Sequence, residues 1–334
     1  MPVSNVNRFS RRAAVGVTLG AMAGMGLVAT GSAQGTPIAT PAAGLRTVTD
    51  YLGRAVEIPV APQRVITLSL PILEIALAVG IKPVGSASFA TLGGFPSYFG
   101  DRADGIELVG DGEFDFEKIL SLKPDLAIMD YFGEQDSETL ATMEQIVPIV
   151  TVGEFRSNWR EDSTQVAEFL NRREEFRPIE ETYDTRIAEI KQGLAQIWTG
   201  KHVALLRFRA SDIRIMKQIS FAGNVLEDIG LLFPDIPDSG TGVAEDFSLE
   251  QAKLIDVDAL FVVHDSGDEA LNNLTIYMSN AVVQSLNVVK SGHVYPVDQE
   301  VWITLRGYGA SEIILDDVEK YLINGEPPVA LPTV

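Results

Sequence analysis

Apolar residues in this chain fall into short β-branched runs separated by stretches with helical spacing. Residues 64–68 (Arg64-Val65-Ile66-Thr67-Leu68) read as a buried strand, with Ser69 as the cap of a helix through Ile72, Leu73, Ile75, Ala76 and Val79 that stops at Gly80. Further strands are predicted at 81–85, 107–110, 126–129 and 148–152, with helices between them. Such alternation gives a mostly parallel sheet with right-handed crossovers. The alternation then stops. Asn158 with Glu161 three residues on predicts a capped helix to about residue 171, and a second helix is predicted to start at Pro178. Its apolar positions Ile179, Tyr183, Ile187, Ile190, Leu194 and Ile197 form one stripe, ending at Gly200. About 20 residues at 1.5 Å each span roughly 30 Å, enough to pass from one lobe to another. The alternative is a surface helix of one lobe, but the α/β pattern restarts directly after it. Strands are expected at 202–208, 259–263 and 293–297, and residues 213–216 are a hairpin or crossover partner. Helices are expected between Gly223 and Gly230, around 277–286 and over 309–322.

One segment occurs twice. Phe114-Asp115-Phe116-Glu117 leads to Asp125 and an apolar run, and Phe247-Ser248-Leu249-Glu250 leads to Asp258 and another. In both copies Phe precedes Glu by three residues and Asp follows it by eight. The repeat implies two similar α/β lobes, 46–176 and 201–326, joined by a bridging helix at 177–200, with a ligand cleft between them.

The first residues add a destination. Arg11 and Arg12, within Asn7-Arg8-Phe9-Ser10-Arg11-Arg12, precede an uncharged stretch and then Gly31-Ser32-Ala33. This predicts a twin-arginine export signal over 1–33, cleaved near Ala33, and a periplasmic or extracellular protein. The uncharged stretch, about 17 residues and rich in Gly and Ala, is at the low edge of what spans a bilayer, so retention as an anchor is the alternative. Residues 34–45, small and proline-punctuated, read as a flexible leader. The formal net charge is −20, and cleavage would remove three arginines more, which argues against nucleic acid as a partner. With no cysteine, disulfides, thiolate sites and a lipid-bearing cysteine are excluded.

Several landmarks then resemble a known family. Val48-Thr49-Asp50 followed by Gly53-Arg54, then Pro62 with Arg64-Val65-Ile66, then Pro83-Val84-Gly85, are similar to the start of the periplasmic binding proteins that serve iron-siderophore, haem and cobalamin importers. Ser220-Phe221-Ala222-Gly223 with Val225-Leu226 and Gly230-Leu231, and Gly292-His293-Val294-Tyr295 with Val297-Asp298, Trp302 and Leu315-Asp316-Asp317, resemble the second lobe of the siderophore-binding branch. The resemblance covers about 47–322 and implies a monomer with two rigid lobes, no covalently bound cofactor and no enzymatic activity. It implies that the cargo is passed to an ATP-driven permease dimer in the membrane, with Glu117 and Glu250 meeting arginines on the permease subunits; the alternative is two solvated helix-start carboxylates.

An anionic iron(III) chelate would need convergent cations to enter so acidic a protein, and arginine suits multidentate oxygen ligands. Arg207, Arg209, Arg214 and Arg306 are the candidates, each with a surface ion pair as its alternative. Trp302, Tyr308, Tyr98 and Tyr131 are candidates to pack on the apolar parts of a chelate, with core or rim roles as the alternative. Haem, cobalamin and free ferric ion are competing cargoes in the same fold, although His202, His264 and His293 show no ligand spacing and no metal-ligating set is identified. An exported hydrolase is the reading from another class; the chain has no Gly-x-Ser-x-Gly, P-loop or His-Glu-x-x-His motif.

Overall fold

The computed structural model describes residues 44–89, 92–155, 158–237, 239–240 and 242–330. The predicted export signal with Arg11 and Arg12, and the leader apart from Gly44 and Leu45, lie outside the described residues.

An antiparallel hairpin, β1 (Leu45–Thr49) and β2 (Ala55–Pro59), precedes the first lobe. Asp50, at its turn, is buried and holds Arg54 and the Thr151 hydroxyl, which fastens the hairpin to the sheet beside it. That sheet contains β3 (Val65–Thr67), β4 (Gly85–Ser88), β5 (Glu107–Asp111), β6 (Leu126–Asp130) and β7 (Ile149–Val152), all parallel in the order β5-β4-β3-β6-β7. Nearly every residue of β3, β6 and β7 is buried, as continuous apolar runs require when helices cover both faces. The helices are α1 (Leu70–Ala78), α2 (Phe116–Ser121), α3 (Ser137–Met143) and α4 (Trp159–Phe169).

After α5 (Arg173–Leu194) the second lobe forms β8 (Val203–Phe208), β9 (Ile213–Met216), α6 (Phe221–Asp228), β10 (Ala244–Asp246) and β11 (Ala259–His264). It continues with α7 (Asp268–Met278), α8 (Ala281–Gln284), α9 (Asn287–Lys290), β12 (Val294–Pro296) and α10 (Tyr308–Val318). The order β10-β9-β8-β11-β12 repeats that of the first lobe position by position. Only β9 departs, pairing antiparallel with both neighbours because a tight turn at 209–212 sends the chain straight back.

The duplicated sequence segment has a shared structural job. Asp125 accepts the amides of Gln63 (2.7 Å) and Arg64 (2.9 Å) at the start of β3, and Asp258 accepts the amide of His202 (2.9 Å) at the start of β8. In each lobe the next backbone bond returns, from Asp125 to the Arg64 carbonyl and from Asp258 to the His202 carbonyl. Each aspartate therefore pins the central strand of its sheet.

Three sequence expectations are corrected. The bridging helix begins at Arg173, not Pro178: Phe176 is fully buried against Tyr308 (ring centroids 5.2 Å apart), and this packing draws the preceding turn into the helix with the proline inside it. Asn158 stands at the start of α4 but its side chain caps nothing; Asp162 accepts the Phe155 amide instead. The helix expected around 277–286 is the end of α7 followed by the separate turn α8.

The lobes meet in a packed aromatic seam. Trp159 of α4 lies edge-on to Tyr183 of α5 (5.4 Å), Phe221 of α6 (5.2 Å) and Tyr308 of α10 (4.9 Å). One hydrophobic cluster runs through this seam from α1 to the face of the second sheet that carries Leu205 and Met216. Among the described residues no helix is long and apolar enough to cross a membrane.

Candidate functional site

Ligands of open parallel sheets sit beyond the carboxyl ends of the strands. In the first lobe those ends supply Ser69 after β3, Asp130 closing β6, Tyr131, and Gly153-Glu154 after β7. In the second they supply Arg207 and Arg209 at the end of β8 and Asp265 after β11. Arg306 bridges the two sets. It lies between a π-helical turn, Glu300–Thr304, and α10, and donates to the Glu154 carbonyl of the opposite lobe at 3.1 Å. Its charge also acts on Asp130, which burial lifts to about 7 against the pull of Arg306 and of the Ser69 hydroxyl beside it. A cavity of about 330 Å³ adjoins this crossing, between Glu154 and Asp162 on one side and Lys217 and Val243 on the other. Lys217 is itself held by Glu245 at 2.9 Å.

The strand register explains the other arginines. Arg207 stands directly opposite Arg214 across the β8–β9 pair, so both project from the face that also carries Leu205 and Met216. Two adjacent guanidinium groups need counter-charge, and carboxylates provide it. Asp265 takes Arg207 through two bonds of 2.7 and 3.0 Å, and Asp246 takes Arg214 at 2.9 Å. Asp212 lies 3.5 Å from Arg209 and 3.4 Å from Arg214. These groups are only about a quarter to two-fifths exposed, apart from the outlying Asp246, yet remain wet enough that each pair is worth about 1 kcal/mol or less. A ligand with its own oxygen anions can therefore take a carboxylate's place at little cost.

The aromatic candidates divide. Trp302 and Tyr308 are core residues, 1% and 3% exposed, and offer no surface to a ligand. Trp302 packs on Phe261 (4.7 Å) and donates to Asp317 at 2.9 Å, while Tyr308 closes the interlobe seam. Their assignment to a ligand surface is thus corrected, because packing buries both, Trp302 within the second lobe and Tyr308 at the seam. Tyr98 is partly buried, with Arg102 over its ring at 4.8 Å and its hydroxyl bonded to Glu74 at 3.1 Å. Tyr131 is half-buried at the end of β6, its hydroxyl 3.0 Å from Ser137.

Glu117 and Glu250 are both exposed, in the first turns of α2 and of a 3₁₀ helix, Leu249–Ile255. Each element follows the carboxyl end of its lobe's outer strand, β5 or β10, so the two carboxylates occupy corresponding places on the cleft side of the sheets. Among the described residues no group of three or more His, Asp or Glu side chains could hold a metal ion. Sequence reasoning missed Asp130, Asp265 and Glu74. The signal for Asp130 and Glu74 was a lone carboxylate in an otherwise apolar run.

The periplasmic binding protein family matches residues 65–301, from the first central strand to the π-helical turn before Arg306. The chain belongs to this family. A probable siderophore-binding lipoprotein, YfiY of Bacillus subtilis, is 30% identical over 290 residues, covering 83% of this chain and 88% of that protein. Among solved structures, SirA of Staphylococcus aureus complexed with staphyloferrin B superposes with a TM-score of 0.72 at 22% identity, over 83% of this chain and 98% of SirA. FeuA of Bacillus subtilis complexed with ferri-bacillibactin gives 0.71 at 24% identity, over 84% of this chain and 99% of FeuA. These binding proteins share the fold of two α/β lobes with a cleft between them.

Proposed function

We propose that this protein is the extracytoplasmic binding component of an ABC importer, which captures a ferric-siderophore complex between its lobes and delivers it to a permease dimer. The observation that carries the reading is the arginine group at the carboxyl ends of the second sheet, joined by Arg306, which reaches from the same lobe to the Glu154 carbonyl of the other, in a family member 30% identical to a probable siderophore-binding lipoprotein. Exchangeable guanidinium pairs suit anionic ferric complexes, of carboxylate or catecholate type, better than neutral ones. Arg207, Arg209, Arg214 and Arg306 would hold the oxygens, with Tyr131 at the rim. The protein would act as a monomer, exported through the twin-arginine signal at 1–33.

Tryptophan fluorescence tests the cargo. Saturable quenching is expected from ferric citrate or a ferric catecholate and not from the iron-free chelators; saturation by haem alone would move the assignment. The docking role of Glu117 and Glu250 predicts that Glu117→Arg combined with Glu250→Arg stops uptake while ligand affinity stays unchanged. A shift in affinity would instead place those carboxylates in the cleft.

A further inference from the structure

Glu74 is the one charged residue of α1, whose residues from Leu70 to Ala76 are all buried. A carboxylate in such a place is costly unless its oxygens find donors. Its Oε1 accepts three bonds: from the Gly309 amide (2.7 Å), the Ala310 amide (3.1 Å) and the Tyr98 hydroxyl (3.1 Å). Gly309 and Ala310 lie in the first turn of α10, so a side chain of the first lobe satisfies free amide donors at a helix start of the second. Burial lifts the Glu74 carboxyl above its ordinary range, but Oε1 accepts in either protonation state.

The chain around this contact has been kept bare. A Cβ at Gly307 would stand 2.6 Å from the Glu74 carboxylate, and one at Gly309 only 1.9 Å from the Tyr98 hydroxyl. Arg306 directly precedes Gly307, and its guanidinium reaches the Glu154 carbonyl. The segment 306–310 is therefore held by the first lobe at both ends, by Glu154 at the arginine and by Glu74 at the start of α10.

We propose that Glu74 is a positioning residue for ligand capture: by gripping the first turn of α10 it fixes where Arg306 stands in the cleft, and so sets the affinity for an anionic ferric chelate. The inference rests on the reading of the cleft as a chelate site.

The test is a double-mutant cycle on the full chain, with ferric citrate as the probe and fluorescence quenching as the readout, alongside hydrogen exchange of amides 307–310 without ligand. Glu74→Ala is expected to weaken binding about tenfold and to speed exchange at 309 and 310. Glu74→Gln, which keeps the accepting oxygen, should stay within about threefold of the wild type. The Glu74→Ala/Arg306→Ala double variant should bind no more weakly than Arg306→Ala alone, since both act through one guanidinium. Should Glu74→Ala fail to fold, Gly307→Ala pushes on the same carboxylate with its new methyl and carries the same expectations. Wild-type affinity in the alanine variant, or losses that multiply in the double variant, would overturn the positioning role. A wild type that binds no ferric chelate would overturn the underlying reading first, before any variant is compared.

Discussion

Replacing Trp302 with phenylalanine should separate a core role from a ligand role, and the size of its effect should depend on pH. The indole is 1% exposed and donates to Asp317 at 2.9 Å. Burial raises Asp317 to about 6, with Trp302 and Lys320 favouring its charged form and Asp298 and Asp316 opposing it. A folded-state value above the unfolded one of about 3.9 means a stabilising contribution that is full below pH 4 and lost as pH rises through about 6. The indole donor limits that loss. In Trp302→Phe the smaller ring vacates roughly 40 Å³, which at ~24 cal/mol per Å³ costs ~1 kcal/mol at any pH. Losing the hydrogen bond adds ~1 kcal/mol when Asp317 is neutral and ~1.5–3 kcal/mol when it is ionised. The penalty should therefore be about 2 kcal/mol at pH 5 and about 2.5–4 kcal/mol at pH 8, read from urea denaturation followed by circular dichroism. Equal penalties at the two pH values, or a larger one at pH 5, would refute the reasoning. Affinity of the folded variant for a ferric chelate should stay within about threefold, and a tenfold loss would restore Trp302 to the ligand surface.

Two further substitutions probe the repeat and the arginine group. Asp125→Ala and Asp258→Ala each remove the acceptor of solvent-reachable backbone amide donors at the start of a central strand, and each should cost about 0.5–1.5 kcal/mol of stability. Because they lie in different sheets and share no partner, their costs should add within about 0.5 kcal/mol in the double variant, and a larger deviation in denaturant titrations would contradict independent pinning. Asp265→Asn removes the bidentate partner of Arg207, so affinity for ferric citrate should rise about two- to fivefold, a gain of up to ~1 kcal/mol; a fall would show that Asp265 supports the ligand.

The two-lobed plan was legible because its carriers are local. Buried parallel strands read as unbroken apolar runs, and the Phe-to-Glu-to-Asp spacing repeats because each lobe must pin its own central strand. What stayed hidden depends on tertiary packing. Pro178 looked like a helix start, yet the burial of Phe176 overrides it. The turn that makes β9 antiparallel occupies only 209–212, too short a segment to separate a hairpin from a crossover by composition. Trp302 and Tyr308 carry the residue types of a binding surface, but tertiary packing, on Phe261 for Trp302 and at the seam for Tyr308, decides that they face inward. The arginines were visible as residues, whereas their pairing with Asp265, Asp212 and Asp246 arises from strand register across distant segments.

The seam of Trp159, Phe176, Tyr183, Phe221 and Tyr308 would also constrain how the proposed permease could sense cargo. Fully exposing five rings that each bury roughly 150–250 Å² would cost on the order of 20–30 kcal/mol at ~25 cal/mol per Å², above the roughly 18–21 kcal/mol at which non-covalent affinities saturate. The molecule would then behave as a caliper with its screw tightened: the spacing of Glu117 and Glu250 is expected to be the same whether the jaws are full or vacant. A transporter gripping those two tips would have to feel the load itself, through the exposed surface of the chelate, because the jaws report nothing by moving.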